Sequence, residues 1–147
     1  MNEHRTAVIF GLANKRSIAW AIAQKLHQAG WQLAITYQNE RLELEAKDLI
    51  AEMPGAAGFM CDVTKDDEIA RLFEKLKSRY GVLHGLVHSV AYAPKEALEG
   101  EFLNTTREAF AVAHDVTVCY GIPAPPWERR KPWAMVFPAK HRLCYKI

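Results

Sequence analysis

Cysteine is scarce in this chain, with three among 147 residues: Cys61, Cys119 and Cys144. An odd number without metal-ligand spacing favours a reducing, cytoplasmic setting over a disulfide framework. Long apolar runs are missing as well. No stretch approaches the roughly 18 residues that a membrane-spanning helix needs, so no membrane partner is expected. The opening Met1-Asn2-Glu3-His4-Arg5 leads into a short apolar run and then polar residues, which is not the pattern of a secretory signal. Excess charge is small: 19 Lys and Arg against 17 Asp and Glu leave +2. Residues 119–147 hold six bases against the single acid Glu128, so the alkaline balance belongs to the end of the chain and the remainder is net negative. Composition therefore gives no argument for nucleic-acid binding by the front of the chain.

What is present is a regular alternation. Half the residues are hydrophobic and 24% are charged, ordinary values for a globular chain long enough to bury one core. Thr6-Ala7-Val8-Ile9-Phe10 is a continuous apolar run ending at Gly11, as a strand buried on both faces should be. Ser17 is a good N-cap for a following helix with Ile18, Ile22, Leu26 and Ala29 inward, closed by Gly30. Trp31 to Tyr37 reads as a second strand. Asn39 can cap a second helix with Leu42, Ala46, Leu49, Ile50 and Met53 on its inner face, stopped by Pro54-Gly55. A short third strand, Gly58 to Cys61, delivers Asp62. Ile69, Leu72, Phe73, Leu76 and Tyr80 then mark a third helix that ends at Gly81. Leu83 to Val90 is a fourth strand, and Thr105-Thr106-Arg107-Glu108 reads as a capping box opening another helix. Strands alternating with helices at this spacing predict an α/β, Rossmann-like three-layer fold with a parallel sheet of about four strands in the order 3-2-1-4.

From Cys119 onward the periodicity stops. Five of the seven prolines and two of the four tryptophans lie in residues 119–147. Pro123, Pro125 and Pro126 forbid a helix there, and Val136-Phe137 is too short to read as a strand before Pro138. The expected organisation is an incomplete nucleotide-binding domain over 1–118 and a divergent, poorly ordered tail over 119–147. A shifted reading frame or an aberrant gene join near residue 119 would produce such a change.

The first turn, Phe10-Gly11-Leu12-Ala13-Asn14-Lys15-Arg16-Ser17-Ile18-Ala19, is not a G-x-G-x-x-G fingerprint, since Gly11 is its only glycine. Glycine at a tight turn is the plain alternative to a ligand role. The case for a pyrophosphate there rests on the helix N-terminus, whose free amides and positive dipole end attract anions, with Ser17 able to add a hydroxyl donor. Gln38 lies just past strand two, where dinucleotide folds place the residue that reads the adenosine ribose; it is neutral, and Arg41 is nearby. Asp62 ends strand three and can accept from an adenine amino group or serve as a helix cap. His88-Ser89-Val90-Ala91 ends strand four with small residues that let backbone approach a ligand. His84, His88 and His114 lack metal-ligand spacing, so no metal is expected. Arg129-Arg130-Lys131 between Trp127 and Trp133 imitates a basic-aromatic patch but stands alone in an irregular segment.

Five segments in order, Gly11 to Ala19, Thr36-Tyr37-Gln38-Asn39, Cys61-Asp62-Val63, His88-Ser89-Val90-Ala91-Tyr92-Ala93-Pro94 and Ala113-His114-Asp115, resemble the N-terminal half of the bacterial NADH-dependent enoyl-acyl-carrier-protein reductases. These are a divergent branch of the short-chain dehydrogenase/reductases, and the resemblance covers roughly residues 5–118. It implies that Gly11, Ser17 and Ile18 serve the pyrophosphate of NADH, Gln38 the adenosine, and Asp62 and Val63 the adenine. Ser89, Val90 and Ala91 would lie by the ribose and nicotinamide, and Ala93 would meet the acyl substrate through its backbone. The implied chemistry, in fatty-acid biosynthesis, is hydride transfer from NADH to the β-carbon of a trans-2-enoyl thioester carried on acyl carrier protein, in a homo-oligomeric enzyme.

In that chemistry a tyrosine hydroxyl stabilises the enolate oxygen and a lysine seven positions later holds the nicotinamide ribose. Seven residues after Tyr37, Tyr80, Tyr92 and Tyr120 stand Leu44, Val87, Glu99 and Trp127, and Tyr145 is too near the end. The shorter Tyr-x-x-x-Lys spacing fails as well, with Arg41, His84, Glu96 and Ala124 at the lysine position. No catalytic residue is assigned, and the chain alone is expected to be inactive. The alternatives are a non-catalytic nucleotide-binding fragment and an unstable translation product. Strand four is expected to be an open edge with unpaired backbone along Leu86-Val87-His88.

Overall fold

Thr6–Phe10 forms β1, and every one of its five residues is buried, as a continuous apolar run demands. The other strands are Gln32–Tyr37 (β2), Ala57–Met60 (β3), Gly85–His88 (β4) and Ala134–Val136 (β5). In this computed structural model, which describes residues 5–117 and 134–136, they make one sheet in the order β3-β2-β1-β4-β5. All pairings are parallel, in registers such as Val8↔Ala34 and Val8↔Leu86. The first four strands lie as the alternation predicts. The fifth corrects the expected open edge: Gly85, Leu86 and Val87 of β4 face Ala134, Met135 and Val136. Val136-Phe137 is too short to read as a strand from residue types alone, but backbone pairing with β4 recruits Ala134 to Val136. The readings placed on Cys119 to Trp133, and on Phe137 to Ile147, lie outside the described residues.

The sheet separates two apolar layers. On one face Ile9, Leu33 and Ile35 pack against Ile18–Gln28 (α1) and Glu40–Ala51 (α2), through Ala19, Trp20, Ala23, Ala46, Leu49 and Ile50. On the other, Val8, Phe10 and Ala34 meet Asp66–Tyr80 (α3) through Ile69, Leu72, Phe73 and Leu76. The α2 and α3 faces are those the periodicity marks. In α1 the buried stripe is rotated: Ile18 is 53% exposed while Ala19 and Trp20 are buried. Ser17 explains the shift, because an N-cap in extended geometry fixes the first turn and sends the next residue outward. After β4 the chain forms a four-residue helix, Lys95–Leu98 (α4), a 3-10 turn at Phe102–Asn104 and Arg107–Thr117 (α5). Thr106, not Thr105, caps α5, its Oγ1 accepting from the Ala109 amide at 3.1 Å. The Thr105–Glu108 capping box is therefore one residue out of register. Only Ala109 of α5 is buried.

Candidate functional site

Three backbone hydrogen bonds just past the strands draw the carboxyl ends of β1, β2, β3 and β4 together. The Leu12 amide donates to Thr36 O at 3.0 Å, Ser89 to Phe10 O at 3.0 Å, and Cys61 to Tyr37 O at 2.9 Å. The first element of the site is Gly11, at φ +96°. A Cβ built there would stand 2.8 Å from the Ser89 carbonyl carbon, closer still to its oxygen, and 3.0 Å from Val90 Cγ2. Glycine is thus required both by the left-handed backbone and by the contact of the β1 turn with the end of β4.

Over this contact opens a cleft of about 380 Å³. It brings together Gly11, Gln38, Val63, Ser89, Val90 and Ala91 from the residues singled out in the sequence. Ser17, Ile18, Asp62 and Ala93 are not among its walls. The walls also include Leu42, Thr64, Val112 and Val116, which sequence reasoning passed over. Val112 and Val116 are four apart on α5, so helical spacing held the signal for that pair. The end of α5 is held to the same loop: Thr117 Oγ1 lies 3.4 Å from the Tyr92 amide and 3.5 Å from its carbonyl oxygen.

The hydroxyl of Ser17 is already engaged. It donates to Asn14 O at 2.7 Å and accepts from the Trp20 amide at 3.2 Å, so its proton is not aimed at a ligand. The donors left at the start of α1 are backbone: the amides of Ile18 and Ala19 find no acceptor among the described residues. Asp62 is likewise committed. Its Oδ1 accepts from the Thr64 amide at 3.0 Å and the Thr64 hydroxyl at 2.8 Å, while its own amide donates to Glu68 Oε2 at 2.8 Å. It does not cap α3, whose N-cap position is Lys65. Burial opposes its ionisation, but Thr64, Lys65 and Gln38 together hold its pKa below the usual carboxylate range.

The remaining titratable groups near the strands read as structural. Burial, with help from the Glu68 and Asp62 charges, pushes the Cys61 thiol up to about 11, so it stays protonated. His88 is 3% exposed, and burial lowers its pKa against the opposing effect of its own backbone. His84 Nδ1 accepts from the Thr6 amide at 3.0 Å, which places the proton of the neutral ring on Nε2. Tyr37 donates to Glu43 Oε1 at 3.0 Å, and burial followed by that carboxylate raises its pKa. Among the described residues no group of three His, Cys, Asp or Glu side chains could hold a metal ion, and no helix is long and apolar enough to cross a membrane.

Comparison with known proteins places this geometry. Residues 11–122 match the family model described as Enoyl-(Acyl carrier protein) reductase. The chain is 46% identical over 117 residues to the NADH-dependent enoyl-[acyl-carrier-protein] reductase FabI of Bacillus subtilis, covering 78% of this chain and 45% of that protein. It is 40% identical over 117 residues to the NADPH-dependent FabI of Staphylococcus aureus, covering 78% and 46%. Among solved structures, the NADH enzyme of Aquifex aeolicus superposes with a TM-score of 0.74 at 40% identity, covering 79% of this chain and 51% of that one. The chain spans about half the length of the relatives it matches, or slightly less.

Proposed function

We propose, from the premise that the chain belongs to the enoyl-(acyl carrier protein) reductase family, that it binds a nicotinamide dinucleotide across the strand ends. The observation that carries the proposal is the approach of Gly11 to Ser89 and Val90. It floors a cleft at the carboxyl ends of the neighbouring strands β1 and β4, which are not consecutive in the chain, the switch point at which open α/β sheets take their ligands. The residues fit the group. The Ile18 and Ala19 amides at the positive end of α1, without an acceptor among the described residues, suit a pyrophosphate. Gln38, Leu42, Val63 and Thr64 offer one flat, mostly apolar end for an adenosine, and Ser89, Val90 and Ala91 a small-residue end for the nicotinamide ribose. Ala93, in the loop that Thr117 holds, would present backbone to an acyl thioester.

When bound, the nicotinamide supplies a hydride for the β-carbon of a trans-2-enoyl thioester. The residues of this chain orient the dinucleotide over the contact of Gly11 with Ser89 and Val90. They do not include a tyrosine with a lysine seven positions on, so no hydroxyl with such a partner is at hand to stabilise an enolate. The 147-residue chain is accordingly read as a dinucleotide-binding half that does not turn over by itself, working in the cytoplasm. The test is a titration of the purified chain with NADH, followed by tryptophan fluorescence, and then addition of a crotonyl thioester. Saturable binding without NADH consumption is expected. Absence of binding would overturn the site, and turnover above background would overturn the non-catalytic reading.

A further inference from the structure

The sheet ends on a strand that the family match does not include. Residues 11–122 match the reductase model, whereas β5 is Ala134–Val136. Those residues lie on the outer side of β4, with Ala134 opposite Gly85, Met135 opposite Leu86 and Val136 opposite Val87. The inner side of β4 is taken by β1, from Ala7 to Phe10. Every residue of β4 is buried, so β4 without β5 would present unpaired amides and carbonyls along an apolar strand, a ready template for another chain. The far edge of the sheet differs, because Gly58 and Met60 of β3 are exposed and its burial alternates. The β4 edge is therefore the one whose closure matters.

We propose that β5 is a guard strand: by holding the outer edge of β4 within the chain, it keeps a second copy of the chain from pairing there. The competitor is the β4 edge of that copy, because two identical edges can pair about a two-fold axis, each giving the same residues to the contact. Residues 118–133 tether β5 to the end of α5, which makes its pairing an event within one molecule. A short tether sets a local concentration of roughly millimolar order, so even a brief strand outcompetes a second copy at micromolar concentration. Guarding of this kind depends on backbone pairing and not on particular side chains. Along a strand the amides face alternate sides, so either Met135, or Ala134 and Val136 together, donates toward β4. Proline at those positions removes the donors.

The test compares the full chain with Met135→Pro, with the double variant Ala134→Pro, Val136→Pro, and with Met135→Ala, which keeps every amide. Sedimentation over a concentration series reads association, and hydrogen exchange reads the outward amides of β4 together with those of β1 and β2. One of the two proline variants is expected to self-associate about tenfold more tightly than the parent. Its outward β4 amides should exchange faster when dilute and slow again as the concentration rises, while β1 and β2 stay protected. Met135→Ala should behave as the parent does. Unchanged association in both proline variants overturns the proposal. So does association that leaves the β4 amides fast at every concentration, since the copies then meet through another surface. Loss of protection in β1 and β2 in the variant that exposes β4 would make β5 a requirement of folding instead of a guard, and would overturn it too. Nucleotide binding enters none of these outcomes, so the dinucleotide reading stands or falls separately.

Discussion

At the scale of the single residue, Gly11 and Gly30 separate two meanings of glycine. Both have positive φ, at +96° and +80°, but a Cβ at Gly30 meets nothing within 4 Å, whereas one at Gly11 would press into the backbone of Ser89. Gly30→Ala should therefore cost only the left-handed backbone, about 1 kcal/mol, while Gly11→Ala adds the clash and should cost about 3 kcal/mol. Urea unfolding midpoints of the two variants measure the difference. Equal costs would show that the turn relaxes away from β4. His88 gives a second residue-scale expectation, and its sign follows from its burial. The folded pKa lies below the ordinary value, so on acidification the unfolded chain takes up a proton before the folded one does. Stability should be intact above the ordinary histidine value of 6.5 and fall as the pH drops below it, at a slope of at most about 1.4 kcal/mol per pH unit. His88→Leu should flatten this part of a pH–stability curve measured by thermal melts.

At the scale of the element, α1 and the α4 region sit at opposite ends of local stability. The N-cap of α1 is complete, with Ser17 accepting from Trp20 N, and the helix packs Ala19, Trp20 and Ala23 into the core. Ser17→Ala should cost about 1 kcal/mol and speed amide exchange in the first turn. By contrast α4 has four residues, no side-chain cap and no buried residue, and the 3-10 turn after it is no better anchored. Residues 95–104 should exchange their amides fastest within the stretch 5–117, and β1 and β2 slowest; comparable protection in both would contradict this ranking. The same contrast explains what could be read from the sequence. Runs with a strong period, such as Ile69-Leu72-Phe73-Leu76, reveal both the element and its face. So do local signals such as Asn39, whose Oδ1 accepts from Leu42 N at 3.3 Å. The 3-10 turn and β5 carry no period, since one is three exposed residues and the other three residues held by strand pairing. At the site, Gly11, Gln38 and Ser89 to Ala91 were legible because strand ends converge by topology. That Ser17 and Asp62 spend their oxygens on Asn14, Trp20 and Thr64 depends on turn geometry that residue types alone do not specify.

At the scale of the whole molecule, two buried cores lie on either side of the sheet, while α4, the 3-10 turn and α5 carry exposed apolar side chains. Phe102 is 89% exposed, Leu103 88% and Leu98 73%, with Phe110 also open to solvent and stacked on His114. Apolar side chains clustered this way drive association when chains meet, each contributing about 1.5–3 kcal/mol if fully buried in the contact. Because these side chains bury little against their own chain, replacing them should change association far more than folding. The double variant Phe102→Ser, Leu103→Ser is expected to self-associate at least tenfold more weakly in concentration-dependent sedimentation. Its urea midpoint and its NADH affinity should stay close to those of the parent, since neither residue lies in the core or among the walls of the cleft. A lowered midpoint with unchanged sedimentation would instead mean that Phe102 and Leu103 pack within the chain in solution, and that the apolar surface is closed by the protein itself.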